Sequence, residues 1–223
     1  MKKIMYYFMI MVMFVNVNAY ASAEEKLLEA SNAFKNILRD SQTVVPREVL
    51  AKAQAIAIFP STIEVSMFLG GKSGDGVMVV RRADGRWSNP FFVDLGGAGL
   101  GLQLGVEKKD ILMVFQTQDA VQKMMTNKIT LGADASVAVG PAGQSEGKAT
   151  DTDFQAEIYT YTKTSGLFVG VSLAGSVLKH DYDQNIELYG NGMTPEKIIA
   201  ADGVPDSYAI DDFLRVLYQI NNK

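Results

Sequence analysis

Three stretches of this chain alternate a bulky apolar residue with one that has almost no side chain. In 99–106, Leu100, Leu102, Leu104 and Val106 alternate with Gly99, Gly101, Gln103 and Gly105. In 131–140, Leu131, Ala133, Ala135, Val137 and Val139 alternate with Gly132, Asp134, Ser136, Ala138 and Gly140. In 167–177, Leu167, Val169, Val171, Leu173 and Val177 alternate with Phe168, Gly170, Ser172, Ala174 and Ser176. Successive side chains of a strand point to opposite faces, so each stretch, as a strand, has one apolar face and one nearly bare face. The apolar face belongs in a core. The bare face lets another backbone approach closely or lets the strand bend. Three such strands predict a strongly bent, glycine-rich antiparallel sheet, partly closed toward a barrel, with Gly101, Gly105 and Gly170 at the close approaches.

Shorter apolar runs at Ala55–Phe59 (ended by Pro60), Val65–Leu69 and Val77–Arg81 read as further strands. Both ends of the chain are helical. From Glu24 to about Ser41, Leu27, Ala30, Phe34, Ile37 and Leu38 recur at helical spacing, with Lys26, Glu29, Lys35 and Arg39 on the other face. Pro46 opens a short helix over Arg47–Gln54, and Asp119–Thr126 reads as another, with Val121, Met124 and Met125 inward. Thr194-Pro195-Glu196 supplies a cap, a first-turn proline and an early acid, and Gly203 with Pro205 ends that helix. Ser207 caps a last helix carrying Ile210, Phe213, Leu214, Leu217 and Ile220 on one side. No long linker or clean repeat divides the chain. The fold class is α+β: one domain, a bent sheet flanked by N-terminal and C-terminal helices.

Residues 1–23 read as a signal peptide ahead of a domain at 24–223. Lys2 and Lys3 form a basic start, an almost unbroken apolar run follows from Ile4 to Val17, and two small-x-small sites close it, Val17-Asn18-Ala19 and Ala21-Ser22-Ala23. The run is shorter than the roughly 20 residues a membrane-spanning helix needs. Cleavage at either site removes both lysines and takes the net charge from −4 to −6. That balance argues against nucleic acid, whose binding depends on phosphate neutralisation by Lys and Arg. The chain has no cysteine, which excludes disulfides, thiolate metal sites and the acylated cysteine of a lipoprotein. The expected location is the periplasm, through a cleaved leader.

Catalytic patterns are weak. His180, the single histidine, ends an apolar strand beside Asp181, where a structural role fits as well as acid–base work. Ser172 follows Gly170, but Ala174 breaks the G-x-S-x-G elbow. Gly97-x-Gly99-x-Gly101 leads into strand alternation rather than a helix, so its amides do not converge on a phosphate. Asp181-x-Asp183-x-Asn185 resembles the start of a calcium loop, but Ile186 replaces the turn glycine and Gly192 the bidentate glutamate. The expectation is a protein without catalysis, cofactor or metal. Basic residues gather at Arg81, Arg82 and Arg86 beside Trp87. The plain reading is a charged hairpin tip; the functional one is contact with phosphate oxygens, which suit arginine donors.

Several ordered segments resemble the SYLF domain family, a lipid-binding module also described as actin-binding in fungal proteins. They are Ala55-Ile-Ala-Ile-Phe-Pro60, Phe68-Leu-Gly-Gly-Lys-Ser-Gly-Asp-Gly-Val77, Trp87-Ser-Asn-Pro90 and Gly101-Leu-Gln-Leu-Gly-Val106, then Leu131-Gly-Ala-Asp-Ala-Ser136, Ala156-Glu-Ile-Tyr-Thr-Tyr161 and Gly166-Leu-Phe-Val-Gly-Val-Ser-Leu-Ala-Gly-Ser176. The resemblance implies phospholipid binding, with an amphipathic N-terminal segment contributing to membrane contact. In an exported bacterial chain the implied partner is an anionic phospholipid or membrane surface, bound peripherally; actin is not an expected partner. The expected lipid-binding residues are Arg81, Arg82, Arg86 and Trp87, with Phe34, Lys35 and Arg39 on the N-terminal helix. The rival reading is an interaction module for a protein partner, met through a sheet edge or the small-residue faces. An enzyme of unrecognised type is the third.

Overall fold

The computed structural model describes residues 21–39, 45–66, 70–99, 105–126, 128–140, 156–164, 167–168, 173–203 and 205–221. Helix α1 (Ala23–Arg39) and the short α2 (Arg47–Ala51) lead into strands β1 (Ala55–Ser66), β2 (Gly70–Val80), β3 (Phe91–Gly99) and β4 (Gly105–Phe115). Helix α3 (Gln118–Met125), β5 (Lys128–Thr130), β6 (Val137–Val139), β7 (Ile158–Thr164), β8 (Leu167–Phe168) and β9 (Val177–His180) follow. Helices α4 (Tyr182–Tyr189), α5 (Pro195–Ala200) and α6 (Tyr208–Asn221) close the chain. The strands form one curled half-barrel sheet in the order β5-β9-β3-β2-β1-β4-β7-β6, with β8 paired to β7. Among the described pairs all are antiparallel except β6 with β7.

The sheet is buried on both faces where its central strands run side by side. Ala55–Phe59 of β1 and Ile111–Phe115 of β4 are buried without a gap. On one face Ile56, Ile58, Val77, Val79, Leu112 and Val114 pack under α1, α2 and α6. On the other, Phe59, Met78, Phe91, Val93, Ile111 and Phe115 pack against Val121 and Met124 of α3 and Ile198 of α5. Strands buried on both sides read as continuous apolar runs, which is why Ala55–Phe59 shows no alternation.

Pro60 does not end β1; the strand continues to Ser66 across a register shift between Phe59 and Thr62. Proline has no N–H for the ladder, so the strand bulges there: Ser61 takes φ 48° and its N–H donates to the Asp110 carboxylate at 2.9 Å. The bulge fixes two glycines on the neighbouring strand. A Cβ on Gly76 would meet the Phe59 ring at 2.5 Å and the Ile58 carbonyl oxygen at 2.7 Å, and one on Gly74 would lie 3.0 Å from Thr62 carbons. The close approach to backbone expected at Gly105 is not there, since Gly105 faces open space; it occurs at Gly76, while Gly101 and Gly170 lie outside the described residues.

Beyond the bulge the sheet leaves the core. Gly105–Lys108 of β4 are exposed, Val106 at 70%, and a buried Lys109 bridges Glu64 at 2.7 Å and Glu107 at 2.9 Å. Burial disfavours the Lys109 charge, but the two carboxylates outweigh it and hold its pKa above the ordinary value.

The other alternating stretches are only partly strands. The stretch 99–106 spans the end of β3 and the start of β4, with 100–104 outside the described residues. In 131–140 only Val137–Val139 joins a ladder. Leu131–Ala135 forms a turn, with Gly132 at φ 82° and the Thr130 N–H donating to the Asp134 carboxylate at 2.6 Å. Glycine and aspartate favour that turn more than the alternation favours a strand. Asp181–Asn185 opens α4 rather than a metal loop: the Asp181 carboxylate accepts from the Gln184 N–H at 3.1 Å. The caps expected at Thr194 and Ser207 are present, accepting from the N–H groups of Lys197 and Ile210.

The collision at Gly76 generates a direct test. Gly76→Val forces a branched side chain against the Phe59 ring and a backbone carbonyl that cannot swing away. Urea melts should show a loss of about 1–3 kcal/mol or more; a midpoint equal to wild type would contradict this packing of the bulge.

Candidate functional site

Helix α1 buries Leu27, Ala30, Ala33, Phe34 and Ile37 and leaves Lys35 and Arg39 toward the surface. Its partner is α6, which meets it with Ile210, Phe213, Val216 and Leu217. The Phe34 and Phe213 rings lie 6.4 Å apart at 33°. Above this seam sits a polar clamp. Asp212 accepts hydrogen bonds from the Ser31 hydroxyl and the Lys35 ammonium, both at 2.5 Å. Burial works against the Asp212 charge. Hydrogen bonds from Lys35 and Ser31, with the positive charges of Lys35 and Arg215, overcome it and hold the carboxyl below the ordinary aspartate range.

Helix α2 closes a third side. It follows Pro46, and its Val49 carbonyl accepts from the Gln116 side chain at 2.9 Å, which ties it to the end of β4. Between α1, α2 and α6 lies a groove of about 450 Å³. Among the described residues, Leu38, Val45, Leu50 and Val216 give it apolar walls; Lys35, Arg39, Arg47 and Arg215 bring four cations, with Asp212 the one acid and Gln219 at the margin. Arg39, Arg47 and Arg215 are exposed. An open cleft with apolar walls and a guanidinium rim suits a ligand with an anionic head and an apolar body.

The residues expected from sequence fall into two groups. Lys35 and Arg39 line the groove, and Phe34 lies beneath it at 0% exposure. Arg81, Arg82, Arg86 and Trp87 sit together elsewhere, at the β2–β3 turn. Arg81 donates to the Ala53 carbonyl at 2.9 Å and its guanidinium lies 4.6 Å from the Trp87 ring centre. Arg82 pairs with Asp202 at 2.7 Å and donates to the Ala201 carbonyl, while Arg86 pairs with Asp84 at 2.7 Å. Trp87 is 6% exposed and belongs to the helix-side core. Arg82 thus fastens the turn to the segment after α5, Arg81 ties it to the end of the α2 segment, and Arg86 closes the turn on itself. Arg47 and Arg215 are the groove residues that sequence reasoning missed. Arg215 lies one helical turn from Asp211 and Asp212, which hides it among surface charges until α1 and α6 are known to be neighbours.

Two other polar clusters have structural explanations. Asp75, Asp94 and Asp181 bring carboxylate oxygens within 4.8 Å of one another, balanced by Lys26 at 3.5 Å from Asp75 and Lys179 at 3.1 Å from Asp94. His180 is buried edge-on to Phe91, with ring centres 5.9 Å apart. Burial holds its pKa below the ordinary histidine value despite the Glu196 carboxylate and the Met124 backbone.

The fold is thus a curled sheet carrying a helical layer with an open groove. A family model described as "Las17-binding protein actin regulator", Ysc84, matches residues 96–220, more than half of the chain. The chain belongs to this Ysc84 family, the SYLF family. It is 35% identical over 191 residues to LAS seventeen-binding protein 3 of Saccharomyces cerevisiae, covering 84% of this chain and 41% of the relative. It is 32% identical over 181 residues to the human SH3 domain-containing YSC84-like protein 1, covering 81% of this chain and 52% of that one. An SH3 domain-containing protein of Schizosaccharomyces pombe is 36% identical over 180 residues, 79% of this chain and 41% of the relative. The chain thus spans two-fifths to one-half of the length of these relatives.

The clamp makes its own prediction. Asp212→Ala removes a charged acceptor from both Ser31 and Lys35 and should cost about 2–3 kcal/mol in urea melts at pH 7. Because the folded carboxyl titrates below its unfolded value, this contribution is present above the unfolded pKa and is lost as pH falls through the folded one. Wild type and variant should therefore converge in stability on acidification below about pH 4. A gap that persists unchanged to pH 2 would contradict the assignment.

Proposed function

We propose that this chain is a non-enzymatic, exported envelope protein that binds anionic phospholipid peripherally at the α1–α2–α6 groove. One observation carries the reading: Arg39, Arg47 and Arg215 rim a cleft whose walls are Leu38, Val45, Leu50 and Val216. Guanidinium groups chelate phosphate oxygens, and the apolar walls offer cover to the first carbons of a glycerolipid. The net negative charge of the chain requires the attraction to be local, as a cationic rim on one face provides. Export to the periplasm is proposed from the leader-like start, with Lys2, Lys3 and the apolar run to Val17.

A second reading, a protein partner in the periplasm, has support from relatives whose names record Las17 binding. The same groove would then hold an acidic, partly apolar segment of that partner.

Co-sedimentation with vesicles separates them. Mature protein should bind phosphatidylglycerol or cardiolipin vesicles and leave phosphatidylcholine vesicles unbound, with binding weakened by salt because the rim is exposed. At about 1 kcal/mol for each basic side chain at an anionic surface, Arg39→Ala with Arg215→Ala should weaken binding roughly thirtyfold. Arg82→Ala with Arg86→Ala should leave it unchanged, since those side chains serve the turn. Loss of binding in the second variant and not the first would move the site to the turn. Absence of binding to every vesicle would favour the protein partner.

A further inference from the structure

The two possible leader-cleavage sites differ by four residues, and the fold uses two of the four. Ser22 caps α1 reciprocally: its hydroxyl accepts from the Glu25 N–H at 3.2 Å, and its own N–H donates to the Glu25 carboxylate at 2.9 Å. Its carbonyl accepts from the Lys26 N–H at 3.0 Å. This is a capping box, and it satisfies donors that a helix start otherwise leaves open.

Ala23 is 2% exposed within the helix-side core, and its N–H donates to the Glu187 carboxylate of α4 at 3.0 Å. The next residue, Glu24, accepts from the Ser207 hydroxyl at 3.0 Å, which links the start of α1 to the start of α6. Ala21 lines a second surface cleft, of about 370 Å³, with Lys26 and Asp75.

Cleavage after Ala23 would delete the cap, the buried alanine and the tie to α4. It would also put a charged α-amino group on Glu24, at the positive end of the helix dipole, where a cation is unfavourable. Cleavage after Ala19 leaves all of these contacts intact and sets the new amino group two residues ahead of the cap.

We propose that the leader is removed between Ala19 and Tyr20, so that Ala21, Ser22 and Ala23 belong to the folded domain and not to the end of the leader. The inference rests on the reading of the chain as exported. Both sites satisfy the small-x-small rule, Ala21-Ser22-Ala23 with the smaller residues; the preference for Ala19 comes from what the folded domain needs.

The test is the intact mass and N-terminal sequence of protein recovered from the envelope of bacteria expressing the full chain. The expected first residue is Tyr20. A start at Glu24 overturns this inference and leaves export standing; an intact Met1 on the mature protein overturns export itself. Thermal melts of chains beginning at Tyr20 and at Glu24 test the cause. The shorter chain should melt about 3 °C or more lower, the equivalent of a lost cap in a domain of this size. Ser22→Ala in the longer chain should reproduce part of that drop. Equal melting of the two chains would overturn the structural ground for the assignment.

Discussion

Ala55 to Phe59 of β1 are buried in sequence, alternating between a core under α1 and α6 and a core against α3 and α5. This two-sided burial is the constraint on which the remaining architecture depends. A central strand covered on both faces needs a layer of cover on each, and the chain supplies them from different regions. Its first and last helices cover one side, and α3 and α5 cover the other. Among the described residues the far half of the same strands has neither layer and extends as a largely exposed, glycine-rich and charged sheet end. The bulge at Pro60 and Ser61 marks the boundary, and Gly74 and Gly76 accommodate it.

The candidate site follows from that arrangement. Covering one face with two helices from opposite ends of the chain creates a seam, and the seam needs a polar finish where it meets solvent. Asp212 provides it by accepting from Ser31 and Lys35. Around that clamp the exposed cations of α1, α2 and α6 converge on the apolar side chains that border the core. The clamp and the groove thus share Lys35 and Asp212, whereas Arg39 and Arg215 remain at the rim. At the β2–β3 turn the arginines are used differently, because Asp84, Asp202 and two backbone carbonyls accept from them.

Much of the fold was legible where local chemistry decides it. The phase of α1, the Thr194-Pro195 and Ser207 caps and the α3 helix follow from spacing and capping alone. The continuation of β1 through Pro60 was hidden because a proline ordinarily ends a strand, and only a neighbouring ladder shows that a bulge absorbs it. Helix α4 was hidden because Asp181-x-Asp183-x-Asn185 has the composition of a turn, and the burial of Asn185 against the Phe92 backbone is what commits it to a helix. Half of the groove could be read from the amphipathic face of α1, which carries Lys35 and Arg39. Arg215 joins them through an α1–α6 contact that local periodicity does not reveal.

Hydrogen exchange of the mature protein with and without phosphatidylglycerol vesicles tests the central claim most directly, because it reports where the lipid sits. The account predicts slowed exchange in 35–39, 47–50 and 212–219, with 81–87 unchanged. Protection confined to 81–87, with the three helical segments exchanging as in the free protein, would contradict it.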